Sequence, residues 1–367
     1  MLDLGDALPG TDLASTAAQL RAAPWPEDLR NTPIIIDTDI GGDADDALAL
    51  AAAARHQPLL ALVTTGDETR PPIGHGERAR FARWLLDTLG RTDVPTAAGP
   101  AITNPYSAST ARSGPPAGGD YYCVHGLIPD TVAGQPHGPD AVLDAVAAVC
   151  AATTGPVRWI GMAPLTNLAL VLDRAPELAA RLRVTQMGGA LNYRHPDRAE
   201  HNIRLDVPAA HQVIAAVAAA RLATPEFIIS DVTFTPEMAV DTTHPIYQAL
   251  LPPGDRPRRA GRDDWPAILH AHLDRWFTSA YPSTIQHDAL TLTAALALPF
   301  VISSRATVVL DPRGRMTEHP DGAEVRLSRT ANYPAFMTWL RHVLNPATPA
   351  LATSPEGAPT TRSRWPA

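Results

Sequence analysis

Ile34-Ile35-Ile36-Asp37-Thr38-Asp39-Ile40-Gly41-Gly42-Asp43-Ala44-Asp45-Asp46-Ala47-Leu48-Ala49-Leu50 is the stretch that decides the fold. Three successive β-branched residues read as a short strand buried on both faces, as in a parallel sheet. A Gly/Asp loop follows, and Asp46 to Ala54 then reads as a helix. The unit is strand–loop–helix, and five carboxylates lie within ten residues at the strand's carboxyl end. In open α/β sheets that end is where ligands bind. Carboxylates packed so tightly repel one another, and each pKa rises unless a cation neutralises them. Hard cations with oxygen ligands answer that need, and calcium tolerates the irregular geometry of a loop. The plainer reading is a solvated acidic turn with Asp46 as helix N-cap. The apolar strand before it and the apolar helix after it favour a site.

Working outward, further strands are expected at Pro58–Thr65, Val94–Ala98, Val157–Gly161 and Val184–Met187, with strand character toward Ile229. Helices are expected at Glu77–Leu89, Ala141–Ala152, from Leu165 to Leu172, and at Pro208–Ala219, Ile268–Ala280 and Pro334–Leu344. A late hairpin is expected from Ala306–Leu310 and Glu324–Leu327. The alternation predicts a single α/β domain over residues 32–345, with a doubly wound, mainly parallel sheet and helices on both faces. Residues 1–31 read as an N-terminal extension and 346–367 as a disordered tail. The stretches 103–120 and 252–266 read as loops individual to this chain.

Composition removes several classes. The net charge of −8 argues against a nucleic-acid surface. All 30 residues counted as Lys or Arg are Arg, so no lysine Schiff base or P-loop lysine exists. A phosphatase of the haloacid dehalogenase type, which also opens on strand–DxD, would lack its usual lysine. An EF-hand would need a glutamate where Leu48 stands. Cys123 and Cys150 form no zinc spacing and read as reduced thiols. No apolar run reaches membrane-spanning length and the start of the chain is not a signal peptide, so a soluble, cytoplasmic protein without a membrane partner is expected.

The stretch from Ile34 to Leu50 resembles the signature of the inosine–uridine nucleoside hydrolase family, with Ile40 in place of a proline and two extra residues before the acidic pair. GMAPLTNLAL (161–170), MGGALN (187–192), AEHNIRLDVPAA (199–210), HDALTL (287–292), TTGDE (64–68) and DVPTAAG (93–99) also resemble family segments, in the family's order, from about Pro33 to Leu344. The set is specific where any single motif would be weak. The resemblance implies a nucleoside hydrolase-like fold and hydrolysis of a small ribonucleoside to ribose and free base. It also implies a calcium ion held by Asp39, Asp46, Asp288 and the main-chain carbonyl of Met162. Asp45 and Asn202 would then hold the 2′- and 3′-hydroxyls, and Asn192 and Glu200 the 5′-hydroxyl. Asp67 stands where an asparagine often touches the ribose, and Met187 would line the sugar pocket. Asp39 would be the general base acting on a calcium-activated water, and His287 the acid at the leaving base. Relatives of this kind commonly form dimers or tetramers.

Several readings stay open. His201 stands where relatives carry an aromatic residue, which leaves room for a modified nucleoside, a pH-sensitive site or weakened activity. Asn192, Glu200 and Asn202 serve equally well as turn and capping residues. In an extended segment, however, Glu200 and Asn202 would share one face. Asp43 either supports the metal from behind or faces water, and Trp276 and Tyr281 either join the core or stack on the base. A non-catalytic ribose- or metal-binding relative is the contrasting class, and the complete set of metal aspartates speaks against it.

Overall fold

Ile34, Ile35 and Ile36 are wholly buried, so both faces of their strand must be covered. The computed structural model of the chain shows how, describing residues 9–11, 14, 18, 31–66, 75–102, 124, 126–251 and 264–350. The strands are β1 (Ile34–Thr38), β2 (Leu60–Thr65), β3 (Thr96–Ala98), β4 (Val157–Met162), β5 (Leu182–Met187), β6 (Glu226–Ile228), β7 (Ala239–Asp241), β8 (Ser283–Ile285), β9 (Val301–Leu310), β10 (Met316–Glu318) and β11 (Ala323–Ala331). The helices are α1 (Asp45–His56), α2 (Glu77–Thr88), α3 (Pro139–Ala151), α4 (Thr166–Arg174), α5 (Pro176–Ala179) and α6 (His201–Leu205). They continue with α7 (Val207–Ala218), α8 (Ser230–Thr233), α9 (Pro245–Leu250), α10 (Trp265–Ser279), α11 (His287–Ala295) and α12 (Tyr333–Val343).

The main sheet has the order β10-β9-β11-β6-β5-β4-β1-β2-β3. Every neighbouring pair from β11 to β3 is parallel, and β9 and β10 add an antiparallel edge. From β1 the chain winds outward through β2 and β3, and from β4 it winds the other way through β5 and β6. Crossovers of one hand therefore place α1 and α2 on one face and α4 and α7 on the other. Packing agrees: α11 lies against β4, β5 and α1, and α3 against β2, β3 and α4. The winding reverses between β1 and β4, where Thr38 pairs with Met162 at the carboxyl ends. A crevice for ligand opens at such a reversal.

Helix α1 is hidden on all sides, every residue from Asp45 to Arg55 being buried. Its run of alanines allows that, because small side chains let α11, α10, α12 and α2 approach it closely. The same burial carries Asp45 and Asp46 into the interior. The late hairpin is longer than the sequence implies, because β9 and β11 pair from Val301 to Ala331 around β10. The small β7–β8 sheet and helix α11 are additions that local patterning did not signal. Among the described residues, no helix is long and apolar enough to cross a membrane.

Candidate active site

Asp45 and Asp46 open α1, and Asp288 is the second residue of α11, which packs on α1. Carboxylate oxygens of the three lie within 4.8 Å of one another, and all three residues are buried. Asp46 does not cap the helix, since Ala44 holds that position without a side-chain bond. Burial followed by mutual repulsion pushes Asp46 up to about 7 and Asp45 and Asp288 well above the carboxylate range. The Thr38 hydroxyl donates to Asp46 Oδ1. Arg78 attracts Asp46 electrostatically, but its guanidinium donates to the main-chain carbonyls of Asp39 and Ile40. Buried oxygen donors of one sign, this close together, fit a hard divalent cation.

Asp39 lies outside that trio but close to it, because its charge raises the pKa of Asp45 and Asp288 and of Asp37 and Asp43. Met162 ends β4 opposite Thr38 and is buried, so its main chain sits at the same strand ends.

The acidic loop is braced from behind. Asp43 accepts from the Ala44 amide at 2.6 Å and from the Thr284 hydroxyl, tying the loop to β8. That favours a support role over a solvated one. His272 Nε2 lies 3.1 Å from the Gly42 carbonyl. Burial pushes that imidazole down to about 4, so it is neutral and donates from Nε2. Asp37 accepts from Thr64 at 2.8 Å and from Asn167 at 2.7 Å, and burial raises it to about 7.

Glu200, Asn202 and Met187 converge at the end of β5, but not through an extended segment. Glu200 is the N-cap of α6, and its Oε2 accepts from the amides of Gly189 (3.0 Å), Asn202 (3.0 Å) and Ile203 (3.4 Å). Of the two readings left open, Glu200 follows the capping one: a buried glutamate finds its acceptor role at orphan helix amides, and helix results. Asn202 Nδ2 donates to the Met187 carbonyl at 3.1 Å, leaving its Oδ1 for another donor. Gly189 makes the turn between these groups, with φ at +81°, a conformation that side chains rarely adopt.

His201 is half-buried, with Nδ1 3.3 Å from Arg204 Nη2. Asn192 is exposed, and its main-chain and side-chain nitrogens donate to Asp231 at 2.8 and 3.1 Å. Asp231 also accepts from the Leu191 amide at 2.8 Å. Trp276 is buried and donates to the Ser283 carbonyl at 3.0 Å, which makes it core, whereas Tyr281 is exposed. Asp67, Cys123, the stretch 103–120 and residues 252–263 lie outside the described residues.

His287 Nδ1 lies 2.6 Å from the Thr233 hydroxyl. The Phe234 ring stacks near-parallel to the imidazole, with centroids 6.1 Å apart and planes at 15°. Burial and the Arg194 guanidinium push His287 down to about 3, so it is neutral. A cleft of about 260 Å³ opens beside it, lined by Asn192, Arg194, Ser230, Asp231 and Phe234. Sequence reasoning missed Arg194, Asp231, Thr233 and Phe234. The signal was available: Ser230–Phe234 follows the carboxyl end of β6, as the acidic loop follows β1.

Comparison with known proteins adds to this geometry. Residues 34–338 match the family model of the inosine-uridine preferring nucleoside hydrolase. The chain is 31% identical over 189 residues to a pyrimidine-specific ribonucleoside hydrolase of Photobacterium profundum, covering 48% of this chain and 55% of that protein. It thus spans about half the length of the first curated relatives it matches. A non-specific ribonucleoside hydrolase of Escherichia coli is 27% identical over 329 residues, covering 85% of this chain and 98% of that one. The solved purine-preferring ribonucleoside hydrolase of Gardnerella vaginalis shares the fold, with a TM-score of 0.64 at 21% identity over 86% of this chain and 98% of that one. The names of these three proteins give them different base preferences. The family match spans every strand from β1 to β11 and both sources of the clustered carboxylates, so this chain belongs to the inosine-uridine preferring nucleoside hydrolase family.

Proposed function

We propose that this chain hydrolyses the N-glycosidic bond of ribonucleosides, with water and nucleoside giving ribose and free base. The observation that carries the proposal is the trio Asp45, Asp46 and Asp288, buried at the sheet's switch point with carboxyl pKa values far above normal.

The residues suited to hold calcium are Asp39, Asp46, Asp288 and the Met162 carbonyl. When bound, calcium neutralises the cluster, orients a water and acidifies it. Asp39, the half-buried carboxylate beside the trio, would take the proton from the attacking water. Asp45 would accept from the 2′-hydroxyl, and the Asn202 Oδ1 from the 3′-hydroxyl. Glu200 keeps Oε1 available for the 5′-hydroxyl while its Oε2 holds three amides. Asn192 would have to exchange its Asp231 bond for the sugar, and Asp67 is proposed at the ribose from the resemblance. Bonds to several hydroxyls fix the sugar and disfavour a deoxyribose. The anionic surround stabilises positive charge that builds on the ring as the bond breaks.

His287 is the candidate donor to the leaving base. In the tautomer that accepts from the Thr233 hydroxyl at Nδ1, the ring proton sits on Nε2. A neutral imidazole gives up that proton only as negative charge develops on the base, so its contribution should depend on the leaving group. His201 supports a second reading, a hydrolase specialised for a modified nucleoside, since a polar ring stands where relatives carry an aromatic one. A homodimer or homotetramer in the cytoplasm completes the proposal, and light scattering on the purified protein tests the oligomer. A panel of purine, pyrimidine and modified ribonucleosides scored for released base tests the function. Release from one or more supports it, and release from none overturns it.

A further inference from the structure

We infer that the turn between β9 and β10 holds the 5′ end of the sugar site in place, with Arg315 as its positioning residue. The inference rests on the ribonucleoside reading above, in which Glu200 meets the 5′-hydroxyl, and it names what sets that carboxylate.

Glu200 sits where three pieces of chain meet. They are the segment that leads into it, helix α6 that it caps, and the Gly189 turn whose amide it accepts. The leading segment is exposed from Arg194 to Arg198. Surface segments of that kind are the mobile parts of a fold unless they are tied down. A carboxylate that must meet one hydroxyl needs such a tie.

The tie comes from the far end of the chain. The turn Asp311-Pro312-Arg313-Gly314-Arg315 is closed by its own bonds. Asp311 Oδ1 accepts from the Arg313 and Arg315 amides at 2.9 Å each, and the Gly314 amide donates to the Asp311 carbonyl at 2.8 Å. The turn and the strand after it then reach all three pieces. The Arg315 guanidinium divides its donors, with Nε and Nη2 at 2.7 and 2.6 Å from Asp311 Oδ2 and Nη1 donating to the Pro196 carbonyl at 3.1 Å. Gly314 has φ at +82°, and a Cβ there would lie 2.9 Å from Ile203 Cγ2 and 3.1 Å from Val207 Cγ2, so the turn lies flush on α6 and the start of α7. One helical turn further along α7, His211 Nε2 is 3.0 Å from the Asp311 carbonyl. Met316, buried at the start of β10, packs on Gly189.

The Arg315–Asp311 pair is open to water, with the arginine side chain 44% exposed, so it contributes little to stability. Its effect is geometric. The planar fork of arginine fixes two acceptors relative to one another, here the turn and the segment before Glu200. A displacement of about 1 Å in a group that holds substrate can cost about a hundredfold in rate. Arg315 acts on the sugar only through the stretch from Pro196 to Glu200.

The test pairs the ribonucleosides of the panel above, uridine and inosine among them, with their 5′-deoxy counterparts, which offer Glu200 no hydroxyl. The wild-type protein should favour the 5′-hydroxyl member of each pair in kcat/KM by about tenfold or more. Arg315→Met keeps the apolar stem and removes the fork. It should lower that preference by about fivefold or more and change turnover of the 5′-deoxy compounds by less than about twofold. General damage to the fold would lower both members alike and leave the ratio in place. Gly314→Ala presses on Ile203 from the same turn and should lower the same ratio. A ratio unchanged in Arg315→Met overturns this inference alone, and if that variant does not fold, an unchanged ratio in Gly314→Ala does so. Equal hydrolysis of both members by the wild type overturns the Glu200 contact and this inference, and leaves ribonucleoside hydrolysis standing. Hydrolysis of no ribonucleoside in the panel overturns the ribonucleoside reading and this inference with it.

Discussion

Asp46→Asn should stabilise the cation-free protein while removing its response to calcium. Asp46 is buried beside Asp45 and Asp288, and its pKa is raised from 3.8 to about 7. The sign follows from proton linkage. The folded chain holds this proton more tightly than the unfolded chain, so stability is full below pH 3.8 and is lost as pH rises toward 7. A shift of about three units corresponds to about 4 kcal/mol at most, reached above pH 7. Asparagine carries no charge and keeps an oxygen to accept from Thr38. In a chelator at about pH 8 the variant should therefore melt several degrees above wild type, at about 2–4 °C per kcal/mol. At about pH 4 that advantage should vanish. Calcium should raise the wild-type Tm by more at about pH 8 than at about pH 5 and leave the variant nearly unmoved. Thermal melts of both proteins at the three pH values, with chelator and with calcium, measure all of this. A variant less stable than wild type in chelator at the highest pH would refute the claim that the cluster is a strained, cation-seeking site.

Asp39→Ala should reduce base release by at least about a thousandfold in steady-state kinetics, and activity within about tenfold of wild type removes Asp39 as base and ligand. His287→Ala should slow substrates with poor leaving groups far more than activated ones, and equal losses on both would show that it is not the acid. Glu200→Ala strips the acceptor from three amides, so stability should fall by about 2–3 kcal/mol in denaturant melts and KM should rise. Asn167→Ala removes a buried bond to Asp37 and one to the Thr65 carbonyl. A Tm drop of several degrees is expected, with kcat falling as the β1 end loosens.

The centre of the sheet was legible because its signals are local. Ile34 to Ile36 could only be a strand covered on both faces, and the Gly/Asp loop marks its carboxyl end. Alternation of strands and helices then gave the parallel order. That Asp46 and Asp288 share a site was legible only through the family resemblance, since nothing local ties Asp288 to Asp46, and Asp45 in their cluster was read as a sugar contact. What stayed hidden depends on contacts that sequence spacing does not record. Asp43 bonds Thr284 across 241 positions, and His287 meets Thr233 across 54. For Glu200 the capping and extended readings stayed open, because its two-residue spacing from Asn202 suits a strand, whereas its role as N-cap comes with the Gly189 turn, whose amide it also accepts. Phe234 and Arg194 carried no motif at all, and the segments after β6 and β5 respectively bring them to the cleft.

The central claim is tested most directly by one assay on chelator-treated protein. Free base and ribose are measured from each ribonucleoside that the panel identifies and from its 2′-deoxy counterpart, before and after calcium is restored. The account predicts no release in chelator and recovery of base and ribose in equal amounts from the ribonucleoside once calcium returns. It also predicts little release from the deoxy compound. Undiminished release in chelator, or equal release from the two sugars, would contradict it.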